Sequence, residues 1–290
     1  MKQVAGFLWM VLTGFLFVGV TATVKHLGTR VPAAEAAFLR YLLGLVFLLP
    51  LMGVIRRAPL DKRRLGFFAT RGLIHSVGVI LWFYAMTRIP LAEVTALNYL
   101  SPVYITILAA LFLGERFSWP RGAAIAAALV GVMLILRPGF RAVDPGHVAM
   151  MGTALLFACS YLIAKIMSDE VAPAVVVAML SLWTTLGLAP AAIAVWVWPT
   201  WDELGWLFLV ATLATSGHMT MTLAFKSAPI SVTQPVTFLQ LVWATILGWA
   251  VFDEGVDSFV LAGGTIIVGS VVIISIREAR KAQRTPPVAP

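Results

Sequence analysis

The sequence predicts an all-α membrane protein, ten transmembrane helices arranged as two inverted five-helix repeats around a central cavity. Three observations carry this. The 290-residue chain is 60% hydrophobic and only 12% charged, with a mean hydropathy of +0.94, outside the range of soluble globular domains. Its apolar residues fall into segments near the roughly 20 residues that a helix needs to cross hydrocarbon with every backbone group satisfied internally. The chain also repeats itself: Tyr84 to Glu115 aligns without a gap on Leu223 to Glu254, 139 residues later, with eight identities in thirty-two positions. Pro90 meets Pro229 near the start of that stretch, and Glu115 meets Glu254 at its end.

The ten segments, spans 1 to 10, run from Val4 to Val24, Ala33 to Val54, Leu65 to Thr87, Leu91 to Leu113, Trp119 to Leu136, His147 to Met167, Ala172 to Val195, Trp206 to Phe225, Ser231 to Phe252 and Ser258 to Ile276. Connections between them are too short for a soluble domain. At an offset of 140, Met10, Thr13, Phe17 and Lys25 of span 1 meet Met150, Thr153, Phe157 and Lys165 of span 6. One residue is lost before span 3, after which Gly78 meets Gly217. Each unit therefore holds five spans, and an odd number turns the second unit upside down relative to the first. This places the first repeat at 1–140 and the second at 141–280, with 281–290 a disordered, Pro-containing cytoplasmic tail. With the N-terminus inside, fourteen Lys and Arg fall in cytoplasmic segments and five on the other side, so both termini are expected in the cytoplasm. Arg40 and Arg71 lie inside spans and stand outside that count. The net charge of +8 is spread over these short connections as an orientation signal, so nucleic acid is not an expected partner. A single cysteine, Cys159, allows no intrachain disulfide and reads as a packing residue.

Polar groups deep in a bilayer pair with one another or face a wet cavity. Asn98, Ser101 and Tyr104 in span 4 are spaced by three, and their repeat partners are Thr237, Gln240 and Trp243 in span 9. Each trio falls on one side of its helix. Two inverted polar stripes ending in aromatic rings fit a midplane cavity that binds an amphipathic small molecule; interhelical hydrogen bonding accounts for the same residues. His75 and His218 lie well inside spans 3 and 8, with His75, Gly78 and Trp82 on one face. Either histidine suits proton exchange, making protons a candidate coupling ion, and equally suits a buried neutral ring making one hydrogen bond. The repeat does not align them. Arg40 in span 2 has Glu35 five residues earlier, about 140° around the helix and a poor partner. Its open readings are contact with an anionic group of a substrate, a clamp on backbone carbonyls, or snorkelling. Phe17, Trp82, Phe157 and Tyr161 add rings to the same candidate site.

Other features read as architecture. Glu93, Glu115 and Glu254 sit at span ends as interfacial charges, and Trp198, Trp201 and Trp206 as part of an interfacial belt. Ala123, Ala127 and Gly131 in span 5, with Gly263, Gly264 and Gly269 in span 10, read as small residues for close helix packing. Pro102 and Pro235 read as kinks in spans 4 and 9. No metal-ligand cluster, phosphate loop or Gly-framed serine nucleophile is present, so no catalytic residues, metal or cofactor are expected.

The stretches FLRYLLGLVFLLP in span 2, ALNYLSPVYITILAALFLGERFSWPRGAAIAAALVGVMLILRPG through spans 4 and 5, and QPVTFLQLVWATILGWAVFDE in span 9 resemble the EamA-type branch of the drug/metabolite transporter superfamily. The resemblance covers essentially the whole chain. It implies ten helices in two inverted units, both termini cytoplasmic, and a central cavity opening alternately to either side. It also implies export of amino acids and related metabolites, or import of nucleotide-like or vitamin-like compounds such as S-adenosylmethionine and riboflavin. Smaller multidrug relatives use a glutamate in their first helix, and span 1 has none. The second helix-ending motif, Asp253-Glu254-Gly255, lacks the Arg that follows Glu115 in the first.

The expected function is a secondary active transporter in a bacterial inner membrane, moving a small organic metabolite, an amino acid or a derivative of one, by alternating access. Its partners would be that substrate and the lipid bilayer. One alternative is an uptake carrier for a larger ring-bearing metabolite. Another, of a different class, is a non-transporting scaffold or a lipid-modifying enzyme.

Overall fold

A computed structural model of the chain describes residues 2–101, 103–104, 107–108, 119–140, 142–168, 170–227 and 238–284. Its elements are helical throughout and follow the spans in order. They are α1 (Lys2–Leu27), α2 (Ala33–Gly44), a 3-10 segment (Leu45–Leu51), α3 (Met52–Arg56), α4 (Lys62–Met86), α5 (Leu91–Asn98), α6 (Trp119–Leu136), α7 (Pro145–Ser168), α8 (Pro173–Ala194), α9 (Trp201–Ser227), α10 (Phe238–Phe252) and α11 (Ser258–Arg284). Among the described residues six helices are long and apolar enough to cross a bilayer alone, and three shorter apolar ones, Gly122–Leu136, Leu239–Phe252 and Ser258–Ile273, lie in spans 5, 9 and 10. The protein is an all-α membrane protein.

Local chemistry sets the boundaries. Asp61 caps α4 by accepting the Arg64 backbone N–H at 2.8 Å. Pro32 and Pro90 stand just before α2 and α5, and Pro173 opens α8, where a missing N–H costs nothing. Span 2 is not one continuous α-helix: it tightens to 3-10 geometry from Leu45 to Leu51, around Pro50, which has no N–H for the α-ladder. In span 4 the regular helix is interrupted at Tyr99, and the described residues from Leu100 on are helical again. The expected kinks at Pro102 and Pro235, together with Glu115 and the tail beyond Arg284, lie outside the described residues.

Packing follows the duplication. α1 lies along α9, and α4 lies along α7. The sequence repeat carries α1 onto α7 and α9 onto α4, so these two long interfaces are images of each other. α2 with α8, α5 with α10, and α6 with α11 are contacts that the same exchange maps onto themselves. The main apolar core lies where the units meet and includes Val20, Trp82, Phe83, Met86, Leu97, Phe157, Leu188 and Ile267. Large apolar side chains such as Leu8, Phe15, Leu49, Leu73, Leu186, Ile193 and Trp249 are exposed instead, as a lipid-facing surface requires.

The small residues of spans 5 and 10 divide. Gly131 and Gly263 are where α6 and α11 touch backbone to backbone: a Cβ on Gly131 would stand 2.6 Å from the Gly263 carbonyl oxygen, and one on Gly263 would stand 2.5 Å from that of Gly131. Gly264 is closely covered by Leu241 and Ala96. Among the described residues nothing lies within 4 Å of a Cβ on Gly269, so none of them is packed against it.

A candidate binding site at the crossing of the two units

Two glycines bring α4 close to its neighbours. Gly72 lies against Trp183 of α8, and Gly78 against Phe157 of α7, where a Cβ would meet the ring at 2.9 Å. His75 stands between them, 2% exposed. Its Nε2 is 2.9 Å from the Tyr41 hydroxyl on α2, and its ring stacks on Phe157 at 4.6 Å and 20°. Phe157 in turn touches Trp82 and Tyr161, each at 5.9 Å between ring centres. The His75 Nδ1 has no hydrogen-bond partner among the described residues. A buried polar atom left unpaired costs about 1–3 kcal/mol, so it calls for an explanation.

Two arginines flank this histidine. Arg71, one turn before it, is 5% exposed; its Nη1 donates to the Val176 carbonyl at 3.0 Å and its Nε to Ser160 Oγ at 3.4 Å. Arg40 is equally buried. Its guanidinium lies 3.9 Å from the centre of the Tyr41 ring, and its Nε has no partner. Glu35 does not serve it: that carboxylate accepts the Val197 backbone N–H at 2.8 Å. Both guanidinium groups act electrostatically on His75 and on His218, so the two histidines share one neighbourhood although the repeat does not align them.

The second unit supplies the image of this crossing. Phe17 of α1 lies against Gly217 of α9, a Cβ there standing 3.3 Å from the ring, and meets His218 edge-on at 5.2 Å. Phe17 and Phe157 are repeat partners, as are Gly217 and Gly78. The threonines of the same helices cross likewise. Thr153 Oγ1 donates to the Gly78 carbonyl at 3.2 Å; Thr13 Oγ1 is 2.8 Å from Thr220 Oγ1, which donates to the Gly217 carbonyl at 3.0 Å.

The polar stripes of spans 4 and 9 are divided between environments. Asn98 Oδ1 and Ser101 Oγ are buried without a partner among the described residues, and Tyr104 is half-buried against the main core. Gln240 and Trp243 pack against Gly14 of α1, with Trp243 edge-on to Phe15 at 5.9 Å. No hydrogen bond or ring contact among the described residues joins one stripe to the other or to His75; Thr237 lies outside the described residues. Of the expected site residues, then, Arg40, His75, Trp82, Phe157 and Tyr161 are joined by contacts, with Tyr41 linking Arg40 to His75; Phe17 and His218 form the image pair in the other half; Tyr104 packs against the core that holds Trp82 and Phe157; and Asn98, Ser101, Gln240 and Trp243 stand apart.

The EamA-like transporter family matches the chain twice, over residues 4–137 and 144–276. The chain belongs to this family. Its relatives include a riboflavin transporter of Rhizobium johnstonii, 30% identical over 98% of this chain and 95% of the relative. An S-adenosylmethionine uptake transporter of Rickettsia bellii is 29% identical over 88% of each. A pseudopaline exporter of Pseudomonas aeruginosa is 27% identical over 93% of this chain and 96% of the relative. A solved structure titled only "Crystal structure of protein" shares the fold, with a TM-score of 0.59 at 21% identity over 94% of this chain and 97% of that one. The protein is a multi-pass membrane transporter for a small metabolite.

On the face of this EamA-like transporter opposite its termini, acids at the span ends are paired, Glu93 in a buried position and the others partly exposed. Glu254, after α10, pairs with Lys25 of α1 and accepts the Leu91 backbone N–H at 3.0 Å. Lys25 also donates to the Ile89 carbonyl at 3.0 Å. Glu93, 2% exposed, pairs with His147 of α7. Arg30 with Glu203, and Arg137 with Asp257, complete the layer. At the opposite end Glu170 accepts from Arg64 at 2.9 Å and from Arg63 at 3.0 Å; these donors hold its carboxyl below the ordinary carboxylate range. Sequence reasoning missed Arg71 and Tyr41 as members of the site. Arg71 lies four residues before His75, on the same helical face, and that spacing was the available signal.

Proposed function

We propose that this transporter is a secondary carrier of a bacterial inner membrane that moves an amino acid or an amino-acid derivative by alternating access, with both termini cytoplasmic and its units divided near residue 140. The observation carrying this reading is the Phe-on-Gly crossing that appears once in each unit, Phe157 on Gly78 and Phe17 on Gly217. Rocking between two equivalent states needs interfaces that can exchange roles, and these two are built alike. The layer of ion pairs around Lys25 and Glu254 supports a conformation closed on the face away from the termini. Its opening would be the other half of the cycle.

The proposed cargo site is the group around His75, with Arg40, Trp82, Phe157, Tyr161, Phe17 and His218; Asn98, Ser101, Tyr104, Thr237, Gln240 and Trp243 would line its approach along spans 4 and 9. An untargeted comparison of metabolites inside and outside cells with and without the gene product identifies the cargo. Flux of that cargo in proteoliposomes then tests the site. Unchanged flux in both Asn98→Ala and Gln240→Ala removes the stripes from the pathway, and an absence of any solute flux supports a non-transporting scaffold. Imposing a pH gradient on the same vesicles decides whether protons drive transport.

A second reading, uptake of a larger ring-bearing metabolite, is favoured by the stacked rings of Phe157, Trp82 and Tyr161 and by relatives named for riboflavin and S-adenosylmethionine. Competition by ring-bearing compounds in proteoliposomes separates it from the first.

A further inference from the structure

The group around His75 contains two guanidinium groups and, among the described residues, no carboxylate. Arg40 and Arg71 are each 5% exposed, and neither takes part in an ion pair. Arg71 is partly satisfied by a backbone carbonyl and a serine hydroxyl. Arg40 has only the face of the Tyr41 ring. Most acids that pair elsewhere in the described structure do so away from this group: Glu93 with His147, Glu203 with Arg30, Glu254 with Lys25, Asp257 with Arg137, and Glu170 with Arg63 and Arg64, while Glu35 accepts the Val197 N–H through one oxygen and leaves the other without a partner among the described residues. A buried charge without a counter-charge is expensive in a protein and more so in a bilayer. The side chains that join Arg40 to His75 do not offset it, since Tyr41, Phe157 and Tyr161 carry no negative charge.

We infer that the missing counter-charge arrives with the cargo: the transported molecule carries a carboxylate or phosphate that docks on Arg40, with Arg71 and the unpartnered His75 Nδ1 beside it, and its net charge is negative. This rests on the assignment of the group as the cargo site and narrows it. A plain zwitterionic amino acid would bring an ammonium as well, for which the group has no carboxylate acceptor. An organic acid, or an amino-acid derivative whose nitrogen is not a free ammonium, matches the site. The rings of Phe157, Trp82 and Tyr161 suit an apolar or cyclic remainder.

The test uses purified full-length protein in lipid nanodiscs and four probes sharing one ring: phenylacetate, phenyl phosphate, phenylacetamide and phenethylamine. Thermal unfolding is followed with each. The expected result is stabilisation by phenylacetate or phenyl phosphate, whichever anion class the site takes, and none by the amide or the amine. Arg40→Met should weaken that binding about tenfold to a hundredfold, the range for a charge-assisted hydrogen bond, and Arg40→Lys should weaken it less. Without any probe, Arg40→Met should unfold at the same or a higher temperature, because it removes an unpaired buried charge of similar shape; an Arg40 that merely braced the fold would give a lower one. Equal stabilisation by all four probes, stabilisation by none, or a destabilised Arg40→Met overturns the inference.

Proteoliposomes loaded with a cell metabolite extract, with flux read by mass spectrometry, separate this outcome from the fate of the transport reading. Flux confined to neutral or cationic compounds refutes the anionic cargo and leaves the carrier standing. Arg40-dependent binding of phenylacetate or phenyl phosphate without any flux does the reverse.

Discussion

Gly78→Ala tests the crossing of α4 with α7 by way of its tightest contact. The new Cβ would stand 2.9 and 3.0 Å from two ring carbons of Phe157 and 3.3 Å from Leu156 Cβ, whereas ordinary contact begins near 3.4 Å. The ring must therefore retreat by about half an ångström, in a core packed at crystal-like density. It has little room, being 4% exposed and held by His75 on one face and by Trp82 and Tyr161 at its sides. Overpacking of this kind costs about 1–3 kcal/mol, offset by the roughly 1 kcal/mol that Ala gains over Gly in a helix. The net is a loss of roughly 0–2 kcal/mol, together with a displaced Phe157 and weaker cargo binding. At the image position the arithmetic differs. A Cβ on Gly217 would stand 3.3 Å from the ring of Phe17, which is only partly buried and can move, so Gly217→Ala should be neutral or slightly stabilising. Gly269→Ala, in open space among the described residues, should gain close to the full 1 kcal/mol or so of helix propensity. Thermal unfolding of the three purified variants in one detergent should rank them Gly269→Ala, Gly217→Ala, Gly78→Ala from most to least stable. An inverted order, or a Gly78→Ala protein as stable as Gly269→Ala, would refute the packing argument, since nothing else separates the three substitutions.

Gly131→Ala and Gly263→Ala each drive a Cβ into a carbonyl oxygen of the facing backbone, which cannot rotate away as a side chain can; each should lower stability by about 3 kcal/mol, the upper end of the overpacking range, and thermal unfolding should place both below Gly78→Ala. Glu254→Gln keeps an acceptor for the Leu91 N–H but leaves the charge of Lys25 unanswered, and the unfolding curve should show a loss of about 1–3 kcal/mol. A double-mutant cycle with Lys25→Met should recover part of that loss. Glu170 is held below the ordinary carboxylate range by the donors of Arg64 and Arg63, so its stabilisation is present in full above that range and disappears as pH falls through the depressed value. The midpoint of unfolding measured against pH should therefore drop on the acid side in the wild type, and Glu170→Gln should flatten that limb by lowering the midpoint near neutrality while leaving the acid end unchanged.

The membrane class and the order of spans were legible because bilayer insertion depends on continuous apolar length, which needs no tertiary information. The duplication was legible for the same reason that it matters physically: residues that pack helix on helix, such as Gly78 with Gly217 and Phe17 with Phe157, kept their chemistry in both copies. What escaped was whatever depends on contacts between non-equivalent positions. Arg71 looked like one more charge in an apolar run until α7 and α8 closed over it. His75 and His218 looked unrelated because an alignment by repeat compares each with its own image, whereas the fold brings each against the other unit. Glu254 and Lys25 lie at opposite ends of the chain, so no spacing rule joins them. Gly269 was read as a packing residue because a glycine's identity does not say whether a neighbouring helix approaches it.

The division between duplicated and unduplicated residues separates two physical demands on this molecule. Thr13, Phe17 and Gly217 match Thr153, Phe157 and Gly78, and all six make the α1–α9 and α4–α7 crossings. The charged and titratable groups of the candidate site have no such images, although Lys25 and Glu254 match Lys165 and Glu115. At the repeat offsets Arg40 corresponds to Leu180, Arg71 to Val210, His75 to Ala214 and His218 to Val79. A carrier that alternates between two faces needs interfaces of similar energy on both sides, since the population of each state follows the difference between them. Duplicated packing residues provide that balance. Recognition of an asymmetric cargo asks for the opposite, a site whose two halves differ, and placing a charge in only one copy breaks the symmetry with the fewest changes to the packing. On this argument, substitutions at the duplicated positions should shift the balance between the two faces, whereas substitutions at Arg40, Arg71 and His75 should change which molecules are bound.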